Sequence, residues 1–211
     1  MLAVHARRRS IVANNPVVTC DENHTYRAEG VIVPGVTEIL GIFADYARVP
    51  RHILEAKRIL GRAVHRCIEL YEAEQLDPDS VDDAVMPYLE GWIRFSSDRP
   101  LRIMAAERIV YSTKYRYAGR LDLVIAFVNK PDVWCLLDVK TVYDMVPETA
   151  LQTAGYAQAY QETFNQAVQQ RAGLQLKPDG SYCYYPYQDR TDLNIFLNAL
   201  AIRAWINNHR R

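Results

Sequence analysis

Two polar side chains close an apolar stretch of the chain and have the types and spacing of a catalytic pair. Asp138 and Lys140 follow the apolar run 133–137. Side chains alternate along a strand, so Asp138 and Lys140 should share one face. The acid would then bind a divalent cation while the amine orients or deprotonates a water molecule. The alternative is a simple ion pair at a strand end, because a D-x-K tripeptide is common by chance.

A second acid, Asp122, stands in the otherwise apolar segment 119–126. If a turn at 129–132 pairs this segment with 133–140, Asp122 comes close to Asp138. Two adjacent carboxylates repel each other and are costly to bury unless a cation compensates. Oxygen ligands of this kind suit Mg²⁺ or Mn²⁺. For Asp122 alone, an ion pair with Arg120 remains an alternative.

Two further residues are candidate metal ligands. Glu107 precedes these segments on another predicted strand. It could be a third carboxylate ligand, a residue that orients the ligands, or an exposed strand residue. His65 follows Gly61 by one helical turn on the same helix face, so the glycine would let this face approach the site. A lone histidine is more often structural, and that reading stays open for His65.

Gln152 and Tyr156 are four residues apart on a predicted helix and therefore share a face. Both side chains can hydrogen-bond, and both are candidates for a place beside the acids and the lysine. Taken alone, the pair is equally typical of a helix surface carrying a half-buried tyrosine.

Hydrophobic periodicity indicates the elements that position these residues. We expect a hairpin at 24–34 with its turn at Glu29-Gly30, and Thr37 as the N-cap of a helix. The pattern predicts further helices over 51–74, 80–97, 151–168 and 193–207. It predicts strands over 103–112, 117–128, 133–140, 174–177 and 182–187. The fold class is thus α/β (α+β), with a small mixed central sheet flanked by helices.

Composition and charge limit the class of protein. The 211 residues are 49% hydrophobic and 24% charged with zero net charge, which suits one globular domain over 1–211, with 1–23 expected as a flexible arm. Neither a membrane span nor a secretory signal is recognisable, so we expect a cytoplasmic protein. Four scattered cysteines without a CxxC pair argue against an iron–sulfur cluster.

The distribution of charge is uneven along the chain. Six basic residues and one acid lie between Arg48 and Arg66, and eight acids without a base follow in 69–90. Such a basic segment could attract phosphates, with Arg58, Arg62 and Arg120 as candidate DNA contacts and Thr37 as a phosphate contact at a helix N-terminus. Two solvated helix faces of opposite sign explain the same pattern.

Taken in order, these motifs resemble the PD-(D/E)XK nuclease superfamily, and most closely the phage exonucleases of its RecB-type branch. The resemblance covers about residues 24–160 and includes the segment Val33–Leu40. Its ordered motifs are Gly61-x-x-x-His65, Glu107, Gly119-Arg-Leu-Asp122, Asp138-x-Lys140 and Gln152-x-x-x-Tyr156. The chain departs from the family pattern at Leu121, which stands where many members carry a proline.

The resemblance implies a restriction-endonuclease-like core and a nuclease that uses one or two Mg²⁺ or Mn²⁺ ions. His65, Asp122, Asp138 and the carbonyl of Val139 would be metal ligands, and Lys140 the catalytic lysine. Gln152 and Tyr156 would touch DNA or the lysine. The implied reaction is exonucleolytic hydrolysis at linear duplex ends. The resemblance also implies a single-strand annealing protein as a possible partner, and a homo-oligomer is possible.

Three rival interpretations remain at this point. The chain could be an endonuclease or junction resolvase on the same fold, because the chemistry is shared. It could be an inactive DNA-end-binding module. The third is that each motif arises by chance, which predicts no metal binding.

Overall fold

The alternating segments of the chain form a five-stranded mixed sheet in a computed structural model that describes residues 16–22, 24–43 and 50–209. Its order is β4-β5-β6-β7-β8. The first three strands form an antiparallel meander, β7 runs parallel to β6, and β8 is antiparallel to β7. The strands are β4 (Leu101–Ser112), β5 (Tyr117–Phe127), β6 (Trp134–Lys140), β7 (Gln170–Leu176) and β8 (Tyr182–Tyr187).

A second sheet and five helices complete the described part of the chain. The predicted α+β class, with a small mixed sheet flanked by helices, is confirmed. The helices are α1 (Val36–Leu40), α2 (Arg51–Glu72), α3 (Met86–Asp98), α4 (Glu148–Phe164) and α5 (Asp192–His209), and the three-stranded sheet comprises β1 (Val18–Cys20), β2 (Tyr26–Ala28) and β3 (Val31–Val33).

Two helical layers cover the two faces of the five-stranded sheet. On one face, α2 and α3 pack on the side chains of Leu137 and Val139. On the other face, α1, α4 and α5 pack on Leu136 and Leu121. Because strand side chains alternate, Asp138 and Lys140 lie on the α4 face, and α4 itself provides the crossover between the parallel strands β6 and β7.

The predicted hairpin at 24–34 is confirmed. Glu29 (φ 49°) and Gly30 (φ 81°) connect β2 and β3 with a left-handed turn, which a glycine accommodates without strain. Strand β1 pairs with β2. Val18–Cys20 thus belong to the three-stranded sheet. A flexible arm over 1–23 stays a prediction, and residues 1–15 and 23 lie outside the described residues.

Two predicted helix starts are wrong. Thr37 is the second residue of α1, whose N-cap is Gly35, with the Glu38 carboxylate accepting the Gly35 N–H at 3.4 Å. Glu38 thus performs the capping that the sequence suggested for Thr37. The helix predicted from residue 80 begins at Met86, because Asp77 caps a single 3-10 turn at Pro78–Ser80 and Asp82 accepts the Ala84 N–H.

Within the described ranges, no helix is both long and apolar enough to cross a membrane.

Candidate metal centre

The site begins where the backbone pairing between β5 and β6 ends. The last pair toward the end of β6 is Leu123–Leu137, so the next residues along, Asp122 and Asp138, face each other without a ladder bond. The Asp122 carboxylate instead accepts the Val139 N–H at 2.8 Å. Asp122 therefore lies in the gap between the strands, within reach of groups on both faces of the sheet.

Helix α2 brings His65 to this gap. The His65 Nε2 lies 3.0 Å from the carbonyl oxygen of Val139, and since a carbonyl only accepts, Nε2 carries the proton of that hydrogen bond. The Nδ1 atom lies 3.6 Å from carboxylate oxygens of both Glu107 and Asp122. The bond to Val139 thus fixes the ring with Nδ1 aimed at two acids, the arrangement that orients histidine ligands in metal sites.

An irregularity in β4 places Glu107 in the same cluster. The β4–β5 register shifts between Ile103 and Ala105, and Glu107 has φ 49°, a left-handed conformation that is uncommon for a non-glycine residue. Glu107 lies opposite Asp122 in the shifted register. Single ligand atoms of His65, Glu107 and Asp122 lie within 4.8 Å of one another. A backbone conformation that costs energy is thus found where a carboxylate completes the His65–Glu107–Asp122 triad, a candidate metal site.

The charges of this triad favour a cation. Burial lowers the pKa of His65, but the negative charge of Asp122 and the hydrogen bond to Glu107 outweigh it and raise the pKa to about 9. A protonated imidazole therefore offsets the charge of one of the two carboxylates, and the triad keeps a net negative charge. One imidazole nitrogen with two carboxylates is a donor set that fits Mn²⁺ and, through its oxygens, Mg²⁺. A metal ion would take the place of the proton on Nδ1.

Asp138 and Lys140 form a separate pair on the α4 face. The Lys140 Nζ lies 2.6 Å from Asp138 Oδ2, which confirms that the two side chains share a face. Asp138 is fully buried, whereas about a quarter of the Lys140 side chain is exposed. Burial raises the pKa of Asp138 to about 6, against the positive charge of Lys140 and with the help of Asp122. The pair therefore lies beside the triad without belonging to it.

Gln152 and Tyr156 meet on α4, as predicted. Gln152 Nε2 donates to the Tyr156 hydroxyl at 3.3 Å, and Tyr156 is buried rather than half-buried. Its pKa is raised by burial and by the negative charges of Asp138 and Asp122, which the ring therefore approaches. Gly119 makes room for that ring, because a Cβ there would lie 2.5 Å from Tyr156 Cε1. The Tyr156 ring thus explains sterically why the Gly119–Asp122 motif begins with a glycine.

The predicted phosphate contacts lie apart from this cluster or have acid partners. Arg58 and Arg62 are exposed on α2 and both pair with Glu55, at 3.1 and 3.7 Å. Arg120 is half-buried, and no ion pair to Asp122 exists among the described residues. Arg48 lies outside the described residues. Their contacts with DNA, and that of the exposed Thr37, stay predictions.

The structure groups the predicted residues differently from the sequence. Sequence reasoning paired Asp122 with Asp138, whereas the close triad contains His65, Glu107 and Asp122. The Val139 carbonyl, predicted as a ligand, accepts the His65 hydrogen bond, and its ligation of metal stays a prediction. Sequence reasoning missed Thr149 and Tyr187, whose hydroxyls are buried behind Asp138, because no motif or periodicity distinguishes them.

Comparisons with known proteins add little to this geometry. No family model and no curated protein matches the chain. Among solved structures, one titled "Crystal structure of SSO0001" is 13% identical over 70% of this chain and 75% of its own, with a TM-score of 0.36. A likeness this distant supports no conclusion about function.

Proposed function

We propose that this protein is a metal-dependent DNA nuclease, acting as an exonuclease on the ends of linear duplex DNA. One observation carries the proposal: a His65–Glu107–Asp122 triad fit for a divalent cation lies beside the buried Asp138–Lys140 pair. Metal-dependent hydrolysis of a phosphodiester uses a cation together with a nearby group that handles the proton of the attacking water. The choice of DNA as substrate rests on the resemblance to RecB-type phage exonucleases.

In this proposal, the triad holds Mg²⁺ or Mn²⁺, with Asp138 as a further candidate ligand. A cation bound there would lower the pKa of a water molecule and polarise a phosphoryl oxygen. Asp122 connects this triad to the pair on the other face, because it contacts His65 and accepts the Val139 N–H between Asp138 and Lys140. The two parts of the site are thereby held at a fixed spacing by one side chain.

Lys140 is the proposed catalytic lysine. Its ammonium group is bound to the Asp138 carboxylate but partly exposed, so it can turn toward a substrate phosphate without leaving its backbone position. There it would orient the attacking water and stabilise the developing negative charge. Gln152 and Tyr156 border the same face and would restrict the position of the lysine or the DNA.

The test is digestion of an end-labelled linear duplex beside a covalently closed circle, with Mg²⁺, Mn²⁺ or EDTA. We expect divalent-dependent loss of the linear DNA only, and loss of activity by about 10²–10⁴-fold in Lys140→Ala. Lys130→Ala, an exposed lysine in the β5–β6 turn, is the matched control. Digestion in EDTA or full activity of Lys140→Ala would contradict the proposal.

The same assay addresses the rival functions. Cutting of the closed circle would favour an endonuclease or junction resolvase. End binding without any cleavage would favour an inactive DNA-end-binding module. Neither binding nor cleavage would leave the triad as an ion-paired structural cluster around a protonated His65.

A further inference from the structure

Three buried polar side-chain atoms come from Asp138 and from residues of α4 and β8. Asp138 Oδ1, Thr149 Oγ1 and the Tyr187 hydroxyl are buried. The two hydroxyls lie next to each other but not in good hydrogen-bond geometry, and Asp138 Oδ1 has no hydrogen-bond partner among the described residues. Thr149 lies in the first turn of α4 and Tyr187 ends β8, so with Asp138 of β6 three different elements supply the three atoms. Buried polar atoms without partners are costly, and their grouping in one place calls for a reason.

Gly173 shows that this grouping depends on a specific contact. It is the β7 neighbour of Asp138 in the parallel register, and a Cβ at Gly173 would lie 2.7 Å from the Tyr187 oxygen. The missing side chain is what allows the Tyr187 ring to turn inward from the edge strand across β7. Its hydroxyl thereby reaches the strand that carries Asp138.

The Tyr187 hydroxyl faces both other groups. It stands next to the Thr149 hydroxyl, and burial followed by the negative charge of Asp138 raises its pKa to about 12. Tyr187 therefore keeps its proton and can donate. No hydrogen bond joins it directly to Asp138, so one water with these three polar partners would satisfy all of them.

We propose that Tyr187, together with Thr149, is a positioning residue for Asp138 and acts through one enclosed water that all three groups bind. This inference rests on the proposed function for its catalytic consequence. The Lys140 amine occupies Asp138 Oδ2. The water would hold Oδ1 and keep the carboxylate in place when Lys140 turns to a substrate phosphate.

The test combines two readouts on the full chain with Tyr187→Phe. The first is a double-mutant cycle of melting temperature with Asp138→Asn, which needs no enzymatic activity. We expect Tyr187→Phe to shift the melting temperature in the wild-type background by an amount clearly different from its shift in Asp138→Asn. Equal shifts in both backgrounds would overturn the inference.

The second readout is steady-state digestion of linear duplex DNA. Tyr187→Phe should lower kcat by about tenfold or more with KM changed less than about twofold, because the substrate contacts remain. Thr149→Val, which removes one hydroxyl at nearly constant volume, should act in the same direction and serves if Tyr187→Phe does not fold. An unchanged kcat in both variants would contradict the positioning role.

The matched control is Tyr184→Phe on the opposite face of the same strand, whose hydroxyl lies 3.8 Å from Cys135 Sγ. It should leave kcat unchanged and its melting shift should be the same with and without Asp138→Asn. If the wild-type protein cleaves no DNA, the proposed function fails, and the melting cycle alone decides whether Tyr187 is coupled to Asp138.

Discussion

His65 and Asp138 have opposite electrostatic situations although they belong to one candidate site. The acids around His65 favour its charged form and outweigh the cost of burial. For Asp138, burial outweighs the nearby Lys140 and favours the neutral form. The site thus holds a protonated imidazole where a metal is expected, and a carboxyl group whose ionisation is unfavourable. Ligand binding can release the free energy stored in these two unfavourable states.

We expect Mn²⁺ binding to release a proton from His65. Below its pKa of about 9 the ring is charged, and the metal must displace that proton from Nδ1. Affinity should therefore rise by up to roughly tenfold per pH unit between pH 7 and 8.5, with about one proton released per ion. Calorimetry in two buffers of different ionisation enthalpy measures both quantities.

His65→Gln should abolish that pH dependence and weaken Mn²⁺ binding. The control is His52→Gln on the exposed face of the same helix. The protonated His65 also affects the stability of the fold. Because its pKa is raised from 6.5 to about 9, it stabilises the folded state fully below pH 6.5, and this contribution disappears as the pH passes 9. A pH-independent Mn²⁺ affinity in the wild type would contradict the role of His65.

We expect Asp138→Asn to abolish activity without lowering stability. The carboxyl is neutral in both the folded and the unfolded state below pH 3.8. Above that pH the unfolded chain ionises it readily, whereas the folded state does so only as the pH passes about 6, against the cost of burial. The buried carboxyl therefore lowers stability at neutral pH. The amide removes this cost. The melting temperature of the variant should therefore exceed that of the wild type, and by more at pH 8 than at pH 4. A variant less stable at pH 8 would refute this.

Two glycines at contacts between a helix and the sheet have different roles, Gly61 on α2 and Gly119 on β5 facing α4. Gly61 faces Thr141, the residue after Lys140, and a Cβ there would meet only Thr141 Oγ1, at an ordinary 3.6 Å. The close approach of α2 predicted from the sequence is thus confirmed, but a methyl group would fit. Gly119, by contrast, has no room for a side chain because the Tyr156 ring occupies it.

Substitution of these two glycines by alanine should have opposite effects. Gly61→Ala should stabilise the protein by about 0.5–1 kcal/mol, since glycine inside a helix costs about that much. Gly119→Ala should destabilise it by about 1–3 kcal/mol, the usual cost of overpacking a core. Urea denaturation measures both. A destabilising Gly61→Ala would show that α2 packs more tightly than the structure indicates.

Across the whole molecule, the candidate site lies where the two helical layers meet through the sheet. The triad receives His65 from the α2 side, and Asp138 and Tyr156 lie on the α4 side. Asp122, in the gap where β5 and β6 stop pairing, contacts His65 and accepts the Val139 N–H between Asp138 and Lys140. The exposed cations of α2 lie on the helix that carries His65, and because the net charge is zero, any attraction for DNA would be a property of one surface.

We expect the double variant Arg58→Gln/Arg62→Gln to bind duplex DNA more weakly and with less dependence on salt. Each phosphate contact contributes about 0.9 to the slope of log affinity against log salt, so the slope should fall by up to about 2. Fluorescence anisotropy over a salt series measures it. Lys130→Gln/Arg190→Gln removes the same charge elsewhere and should leave the slope unchanged; an equal loss there would refute a specific role for α2.

The strands, the helices and the shared face of Asp138 and Lys140 could be predicted because alternation and helical periodicity are local properties of the chain. Wrong helix starts at Thr37 and residue 80 arose where several neighbouring residues can cap, and packing chose among them. Gln152 and Tyr156 were likewise placed correctly by spacing alone.

The grouping of the carboxylates depends on contacts distant in the sequence. A one-residue register shift in β4 and the early end of the β5–β6 ladder bring Glu107 and Asp122 to His65. Asp138 is left to pair with Lys140, near the buried hydroxyl of the half-buried Tyr187. A shift of one residue changes the face on which a side chain lies, and nothing in the local pattern encodes it. The chain therefore specifies which residues can do chemistry, and long-range packing decides which of them meet.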